Sequence, residues 1–275
     1  MFTEKTIGFI GGGNMGGAMI NGLIKSGMID PKYIIVADLD ENRLQQLADE
    51  HGIATTTDNK EVCGWSDILI ISVKPQVIDK ILTPKDAANR DFILSVAAGV
   101  PIQRLKELFS NPAIVRCMPN TPAMIGQGMA VWTATDAVND LRREQAGAIL
   151  GCLGRQVYVS EESLLDAATA LSGSGPAYVF LMIEAMIEAG VHMGFSRTAS
   201  QEIVLQTFKG SVEYAIHSGE NIAVLRNQVT SSAGTTAEAL YHMEKEGLRH
   251  AIARGVWAAF ERSVNLGGGK GRNPG

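Results

Sequence analysis

Short apolar runs alternate with segments of helical period along the first 160 residues. The runs at 6–10, 33–37, 68–73, 92–97, 114–118, 129–133 and 156–159 are rich in Ile and Val. Near-continuous apolar runs of this length predict strands covered on both faces, as in a parallel sheet. Segments at 42–50, 102–109 and 140–153 instead space their apolar residues by three and four, the period of a helix with one face inward. A further helical pattern, carried by Met19, Leu23 and Ile24, follows the first run and ends near Gly27. This alternation predicts an α/β domain over residues 1–160, built on a mostly parallel, doubly wound sheet.

After residue 160 the strand signals stop. Helical period reappears at 164–171, 176–193, 200–217, 251–266 and in the stretch after Ser231. An all-α domain over 161–266 is therefore expected, with 267–275 (GGGKGRNPG) as a flexible tail. Ser172-Gly173-Ser174-Gly175 interrupts the first two helices, and Pro176 suits the first turn of the second. Within 177–194, Val179, Phe180, Leu181, Met182, Ile183, Met186, Ile187 and Val191 leave little polar surface. A domain of this size cannot cover helices so apolar by itself. A second copy of the chain is expected to do so, as a homodimer or higher homo-oligomer.

Gly11-Gly12-Gly13-Asn14-Met15-Gly16 lies between the first strand and the first helix, and Gly11, Gly13 and Gly16 fit the G-x-G-x-x-G spacing. The next strand ends at Asp38, 22 residues beyond Gly16. Strand, tight turn, helix, strand and acid in this order predict a Rossmann dinucleotide site. Its pyrophosphate rests on the helix N-terminus and its acid on a ribose diol. Asp38 would repel a 2′-phosphate, Asp40 and Glu41 add to that repulsion, and only Arg43 opposes it. NADH is therefore weakly favoured over NADPH. Ligands in such sheets lie beyond the carboxyl ends of the strands. The segments there are Val73-Lys74-Pro75, Ala97-Ala98-Gly99 and Met118-Pro119-Asn120-Thr121-Pro122. Small and proline-stiffened residues suit the approach of a flat ring to backbone, though plain loop chemistry has the same composition.

The most informative stretch is Leu225 to Leu240, LRNQVTSSAGTTAEAL. Ser231/Ser232 and Thr235/Thr236 flank Ala233 and Gly234. An apolar stripe then runs through Ala237, Leu240 and Met243 to a glycine stop at Gly247. A helix starting near Ser232 to Gly234 is expected, with hydroxyl caps. Its unpaired N–H groups and positive dipole end would seat a small anion such as a carboxylate. An ordinary capped helix is the alternative.

Composition narrows the field. A net charge of −5 gives no electrostatic footprint for nucleic acid. Five histidines form no H-E-x-x-H and no close i, i+4 pair, so no metal site is expected. Cys63, Cys117 and Cys152 are widely spaced and odd in number, which fits a reduced, cytoplasmic protein. The N-terminus lacks the basic and long apolar regions of a secretory signal. No run of 18 consecutive apolar residues occurs, so no membrane span is expected.

Together these motifs resemble the pyrroline-5-carboxylate reductase family. The resemblance is carried by GFIGGGNMG near the start, VKP at 73–75, AAGV at 97–100, MPNTPA at 118–123, SGSGPAYVF at 172–180 and SSAGTT at 231–236. It extends to near residue 266 and departs at Ser232-Ala233, where the family usually has Pro-Gly. Ser232 still suits a cap there, and Ala233 only trims backbone freedom. The resemblance implies an N-terminal Rossmann domain, an all-α C-terminal dimerisation domain and an active site between them. It also implies hydride transfer from NAD(P)H to a cyclic imine carboxylate, L-1-pyrroline-5-carboxylate, giving L-proline. By resemblance the cofactor roles fall on Ile10, Gly11, Gly12, Gly13, Asn14, Met15, Asn59, Ser72, Val73, Lys74, Pro75, Ala97, Ala98 and Gly99. Substrate roles fall on Ser231, Gly234, Thr235 and Thr236, with Glu162 and Gln228 at further substrate-associated positions. Thr236 is the catalytic candidate, its hydroxyl near the imine nitrogen, unless it merely caps the helix.

Two other readings fit parts of the pattern. A β-hydroxyacid dehydrogenase shares the opening motif but carries a lysine in the helix that here runs from Pro176 without one. A non-catalytic dinucleotide sensor would keep the first half and lose the anion seat.

Overall fold

The computed structural model of the chain describes residues 2, 4–81 and 87–267. The chain forms two compact units, Met1–Ser174 with Ala259–Gly275, and Gly175–Ala258.

Among the described residues the first unit holds eight strands: β1 (Ile7–Ile10), β2 (Ile34–Ala37), β3 (Ala54–Thr56), β4 (Ile68–Ile71), β5 (Phe92–Ser95), β6 (Ile114–Met118), β7 (Gly128–Ala134) and β8 (Gly154–Tyr158). They form one sheet in the order β3-β2-β1-β4-β5-β6-β7-β8. Every neighbouring pair is parallel except β6 and β7. Its helices are α1 (Asn14–Lys25), α2 (Glu41–His51), α3 (Asn59–Trp65), α4 (Ile102–Phe109), α5 (Asp140–Gly151) and α6 (Leu164–Ala168).

Alternate strand residues feed two cores. Ile68 and Ile70 join Phe9, Met19, Leu23 and Phe92 on one face. Leu69 and Ile71 join Ile10, Ile93, Leu105 and Phe109 on the other. This is why the strands read as unbroken apolar runs. Polar side chains fix where the helices begin: Asp40 accepts from Asn42 and Arg43, Asp58 from Lys60, and Asn139 from Arg142. Near β1, Lys5 donates to Asp91 at 2.6 Å, and Thr6 donates to Asp67 through both its amide and its hydroxyl. Burial works to raise the Asp67 pKa, but the bonds from Thr6 and Lys5 outweigh it and hold the carboxyl below its ordinary value.

By its contacts the first compact unit runs through residue 174, because 161–174 packs with the sheet. Leu165 and Ala168 are buried, Asn120 donates to Ser172, and Ser263 donates to Asp166. The expected interruption at 172–175 is a π turn, Thr169–Gly173, that keeps the chain helical. Its wide bond runs from the Ser174 amide to the Thr169 carbonyl. The Asn120 amide side chain bonds both the carbonyl and hydroxyl oxygens of Ser172. Of the expected tail, 268–275 lies outside the described residues.

The second unit contains α7 (Gly175–His192), α8 (Arg197–Ser218), α9 (Ile222–Gln228), α10 (Thr235–Lys245) and α11 (Leu248–Leu266), whose turns from Ala259 onward belong to the first unit. Helices α7 and α8 touch closely at Gly190, where a Cβ would collide with the Ser200 hydroxyl. That buried hydroxyl donates to the Ile187 carbonyl at 2.8 Å. Elsewhere the apolar residues face outward, with Phe180 63% and Leu181 66% exposed. Although no strictly unbroken run of 18 apolar residues exists, the helical stretch Leu164–His192 is long and apolar enough, by length and composition, to cross a bilayer.

Candidate active site

The glycine turn is shaped by contacts that admit no side chain. Gly11 has φ of 102°, and a Cβ on it would lie 2.7 Å from the Ser72 carbonyl oxygen. A Cβ on Gly16 would collide with the carbonyl oxygen of Gly11. Gly13, by contrast, would meet nothing within 4 Å. The first and third glycines of the motif close the turn, and the second leaves its outer face open. Gly13 is the N-cap of α1 and makes no side-chain cap bond. The first α1 amides, from Asn14 and Met15 on, are thus presented at the turn, as a pyrophosphate requires.

Neighbouring strand ends hold the turn in place. From β4, Ser72 donates its amide to Ile10 at 2.9 Å and its hydroxyl to Gly11 at 2.7 Å. From β2, Asp38 accepts the Gly12 amide at 2.6 Å and the Asp40 amide at 3.1 Å. The Arg43 Nε donates to the Gly12 carbonyl at 2.7 Å. Asp38 and Arg43 therefore grip opposite ends of one residue. Asp38 keeps acceptor capacity for a ribose hydroxyl, and Arg43 brings a cation to the same rim.

Asn59, first residue of α3, donates its side-chain amide to the Ile81 carbonyl at 2.8 Å. Lys74 is exposed and caps a 3₁₀ turn, Pro75–Lys80. Ala97 is buried, and Gly99 turns with φ of 72°. Pro75, Ala98 and Gly99 share the wall of a cavity of about 690 Å³ with Thr169 and Ser174 of the π turn and with Arg104, Arg262 and Leu266. Arg104 is paired with Asp79 at 2.8 Å. Apart from Asn59, which follows β3, the cofactor candidates lie at the carboxyl ends of β1, β2, β4 and β5, the region where ligands of open parallel sheets bind.

Glu162 is held by two groups of the first unit. One oxygen, Oε1, accepts from the Ile102 amide at 2.7 Å and from the Arg116 guanidinium at 2.6 Å. Arg116 is 6% exposed. Neither Arg116 nor Arg43's grip on Gly12 was singled out from sequence. An arginine inside the run Ile114–Met118 was the available signal, since a guanidinium in a strand buried on both faces needs a carboxylate partner.

In the second unit, α10 begins at Thr235 with Gly234 as N-cap and no side-chain cap bond, so the expected hydroxyl cap is replaced by backbone. The Gly234 amide donates to the Ser231 carbonyl at 3.1 Å, closing a tight turn. Within it Ala233 has φ of 58°, in the left-handed region. Alanine there is strained rather than merely less free, which explains the glycine usual in the family. The turn brings the Ser231 hydroxyl so close to Gly234 that a Cβ on Gly234 would collide with it. The amides of Thr235, Thr236 and Ala237 precede the first helical bond, from Glu238 to Gly234. Thr236 stands inside the helix, not at its cap position. Gln228 accepts from the Tyr214 hydroxyl at 3.2 Å. Gly247, at φ of 77°, stops α10 before α11 and places His242 and His250 on different helices. Among the described residues no three His, Cys, Asp or Glu side chains gather as a metal site.

Comparison with known proteins agrees with both halves. A family model described as pyrroline-5-carboxylate reductase dimerisation matches residues 162–266. One described as NADP oxidoreductase, coenzyme F420-dependent, matches residues 6–99. The pyrroline-5-carboxylate reductase of Synechocystis is 40% identical over 95% of this chain and 98% of its own length. That of Escherichia coli is 36% identical over 96% and 98%. Among solved structures, the Coxiella burnetii pyrroline-5-carboxylate reductase superposes with a TM-score of 0.89 at 32% identity, covering 95% of this chain and 98% of that one. The Plasmodium falciparum pyrroline carboxylate reductase with NADP bound gives 0.84 at 30% identity, covering 96% and 98%.

Proposed function

The chain belongs to the pyrroline-5-carboxylate reductase family, and from that premise we propose that it reduces L-1-pyrroline-5-carboxylate to L-proline in the cytoplasm with NAD(P)H, the last step of proline biosynthesis. The observation that carries this reading is the uncapped tip of α10, an anion seat built from backbone amides beside a serine hydroxyl. Such a seat fits the carboxylate of a small cyclic imine.

The turn Gly11 to Met15 would hold the pyrophosphate. Asp38 would hold the adenosine ribose, with Ser72 to Pro75 and Ala97 to Gly99 beside the reducing end. The nicotinamide, when bound, supplies the hydride that adds to C5 of the imine. The free amides at 235–237 and the Ser231 hydroxyl would orient the substrate carboxylate. A protonated imine is already electrophilic, so orientation is the main task of the protein, worth up to about 7–11 kcal/mol in well-aligned systems. No carboxylate, lysine or histidine cluster is required for that chemistry.

The Thr236 hydroxyl would donate a hydrogen bond to the imine nitrogen or relay its proton, although a threonine is a poor general acid alone. Thr236→Val separates this role from packing. A tenfold or larger fall in kcat at unchanged melting temperature supports it, and a fall below threefold rules it out. The reading as a whole is tested by adding L-1-pyrroline-5-carboxylate to enzyme and reduced coenzyme. Coenzyme oxidation matched by proline formation supports it, and absence of proline sinks it. Run with both coenzymes, the assay also tests Asp38. A higher kcat/KM with NADH follows from its repulsion of a 2′-phosphate. A clear preference for NADPH assigns that end of the site to Arg43 instead.

A further inference from the structure

The geometry around Glu162 points to a positioning residue for the coenzyme loop, acting through the first amide of α4 rather than through the substrate. The inference rests on the reductase reading for the identity of the coenzyme, and on this structure alone for the contact.

Residues 97–101 run from the end of β5 to α4. They carry Ala98 and Gly99 on the wall of the cavity beside Pro75. Where this loop enters α4, Pro101 is the N-cap and provides no side-chain acceptor. Glu162, 60 residues away in sequence, supplies it by accepting the Ile102 amide at 2.7 Å. The same oxygen binds Arg116 at 2.6 Å, and that arginine, only 7% exposed along its side chain, stands on β6. A carboxylate anchored to a buried cation in the sheet therefore fixes the first turn of α4, and with it the end of the loop. The loop is braced from a second side by α11. Leu266 Cβ lies 3.8 Å from where a Gly99 Cβ would stand, and the Gly99 carbonyl oxygen lies 3.6 Å from the same point on Gly267. Four residues beyond Glu162, Asp166 accepts from the buried Ser263 hydroxyl at 2.8 Å and ties this stretch of α11 to α6. Both flanks of the loop are held from residues 162–166, the α4 side by Glu162 through the Ile102 amide and the α11 side by Asp166 through Ser263.

The full-length enzyme tests this by fluorescence titration with NADH and with NADPH in the absence of imine, followed by steady-state kinetics and melting. Glu162→Gln keeps an acceptor for Ile102 but withdraws the charge from Arg116, and Glu162→Ala removes both. The coenzyme Kd and KM are expected to rise about threefold or more for Glu162→Gln and about tenfold or more for Glu162→Ala, the span of a lost charge-assisted bond. The KM for imine should stay within about twofold. Ser200→Ala, which removes the buried hydroxyl bond to the Ile187 carbonyl away from this loop, is the comparator, lowering the melting temperature while leaving coenzyme Kd within about twofold. If Glu162→Ala does not fold, Glu162→Gln carries the test. An unchanged coenzyme Kd in the folded Glu162 variant overturns the inference, and so does a rise confined to the imine KM. If the wild-type enzyme fails to reduce the imine, the reductase reading fails, but the coenzyme titration still reads the clamp.

Discussion

In residues 1–174 the apolar side chains of β1, β2, β4 and β5 are inside, with Phe9, Phe92, Ile68 and Leu69 fully buried. In residues 175–258 the only buried apolar side chains are Ile187 and Val204. Phe180, Leu181 and Ile216 stay more than half exposed. The two regions have similar apolar content, so the contrast comes from geometry. A sheet with helices on both faces covers its strands within one chain. Five helices presenting apolar residues on several faces cannot all be covered by one another, and the surplus is matched by a second copy. The dimerisation model that matches residues 162–266 agrees with this division of labour. The same excess makes Leu164–His192 apolar enough to span a bilayer by composition, so hydropathy alone does not identify what covers a helix.

The largest effect is expected where the second region depends on its partner. Phe180→Asp with Leu181→Asp places two charges on that face. Each lost side chain removes about 1.5–3 kcal/mol of burial, counted once per protomer in a symmetric pair. Light scattering should show the dimer dissociation constant rising at least about a hundredfold, at 1.4 kcal/mol per tenfold. An unchanged mass would mean that this face is not the covered one.

Damage to the first region should act locally instead. Gly16→Ala drives a methyl against the Gly11 carbonyl and to 2.8 Å from the Ser72 hydroxyl. Overpacking of this kind costs about 1–3 kcal/mol. Coenzyme affinity should fall by about tenfold or more while the assembly stays intact. Loss of assembly in this variant would blur the contrast between the regions.

What sequence alone disclosed follows the same contrast. The glycine turn, its strands and Asp38 were legible because their spacing is local and their runs apolar. Strand β6 was predicted at the residues it occupies. The short β3, with Ala54 exposed and Thr55 and Thr56 half-buried at an edge, offers no such run, and seven-residue helices such as α3 and α9 are too brief for a period to emerge. Glu162 with Arg116, and Asp38 with Gly12, join positions 46 and 26 residues apart. Only the folded sheet brings them together. At the tip of α10 the helix start was legible and its cap was not. Four hydroxyls suggested a side-chain cap, yet the left-handed turn at Ala233 puts Gly234 in that place.

That turn supplies the smallest prediction. Ala233→Gly relieves a left-handed alanine costing about 1–2 kcal/mol and returns part of it through a freer unfolded chain. The net gain of about 0.5–1 kcal/mol should raise the melting temperature by about 2 °C in calorimetry. A lower melting temperature would show that the strain at 233 is offset within the turn.

The central claim, that the first region is complete in one chain and the second is not, is tested most directly by light scattering and activity measured together across a dilution series. The account predicts a mass at least twice the 29.3 kDa of the chain at micromolar concentration, with activity falling as that assembly dissociates. A monomer that retains full activity would contradict it.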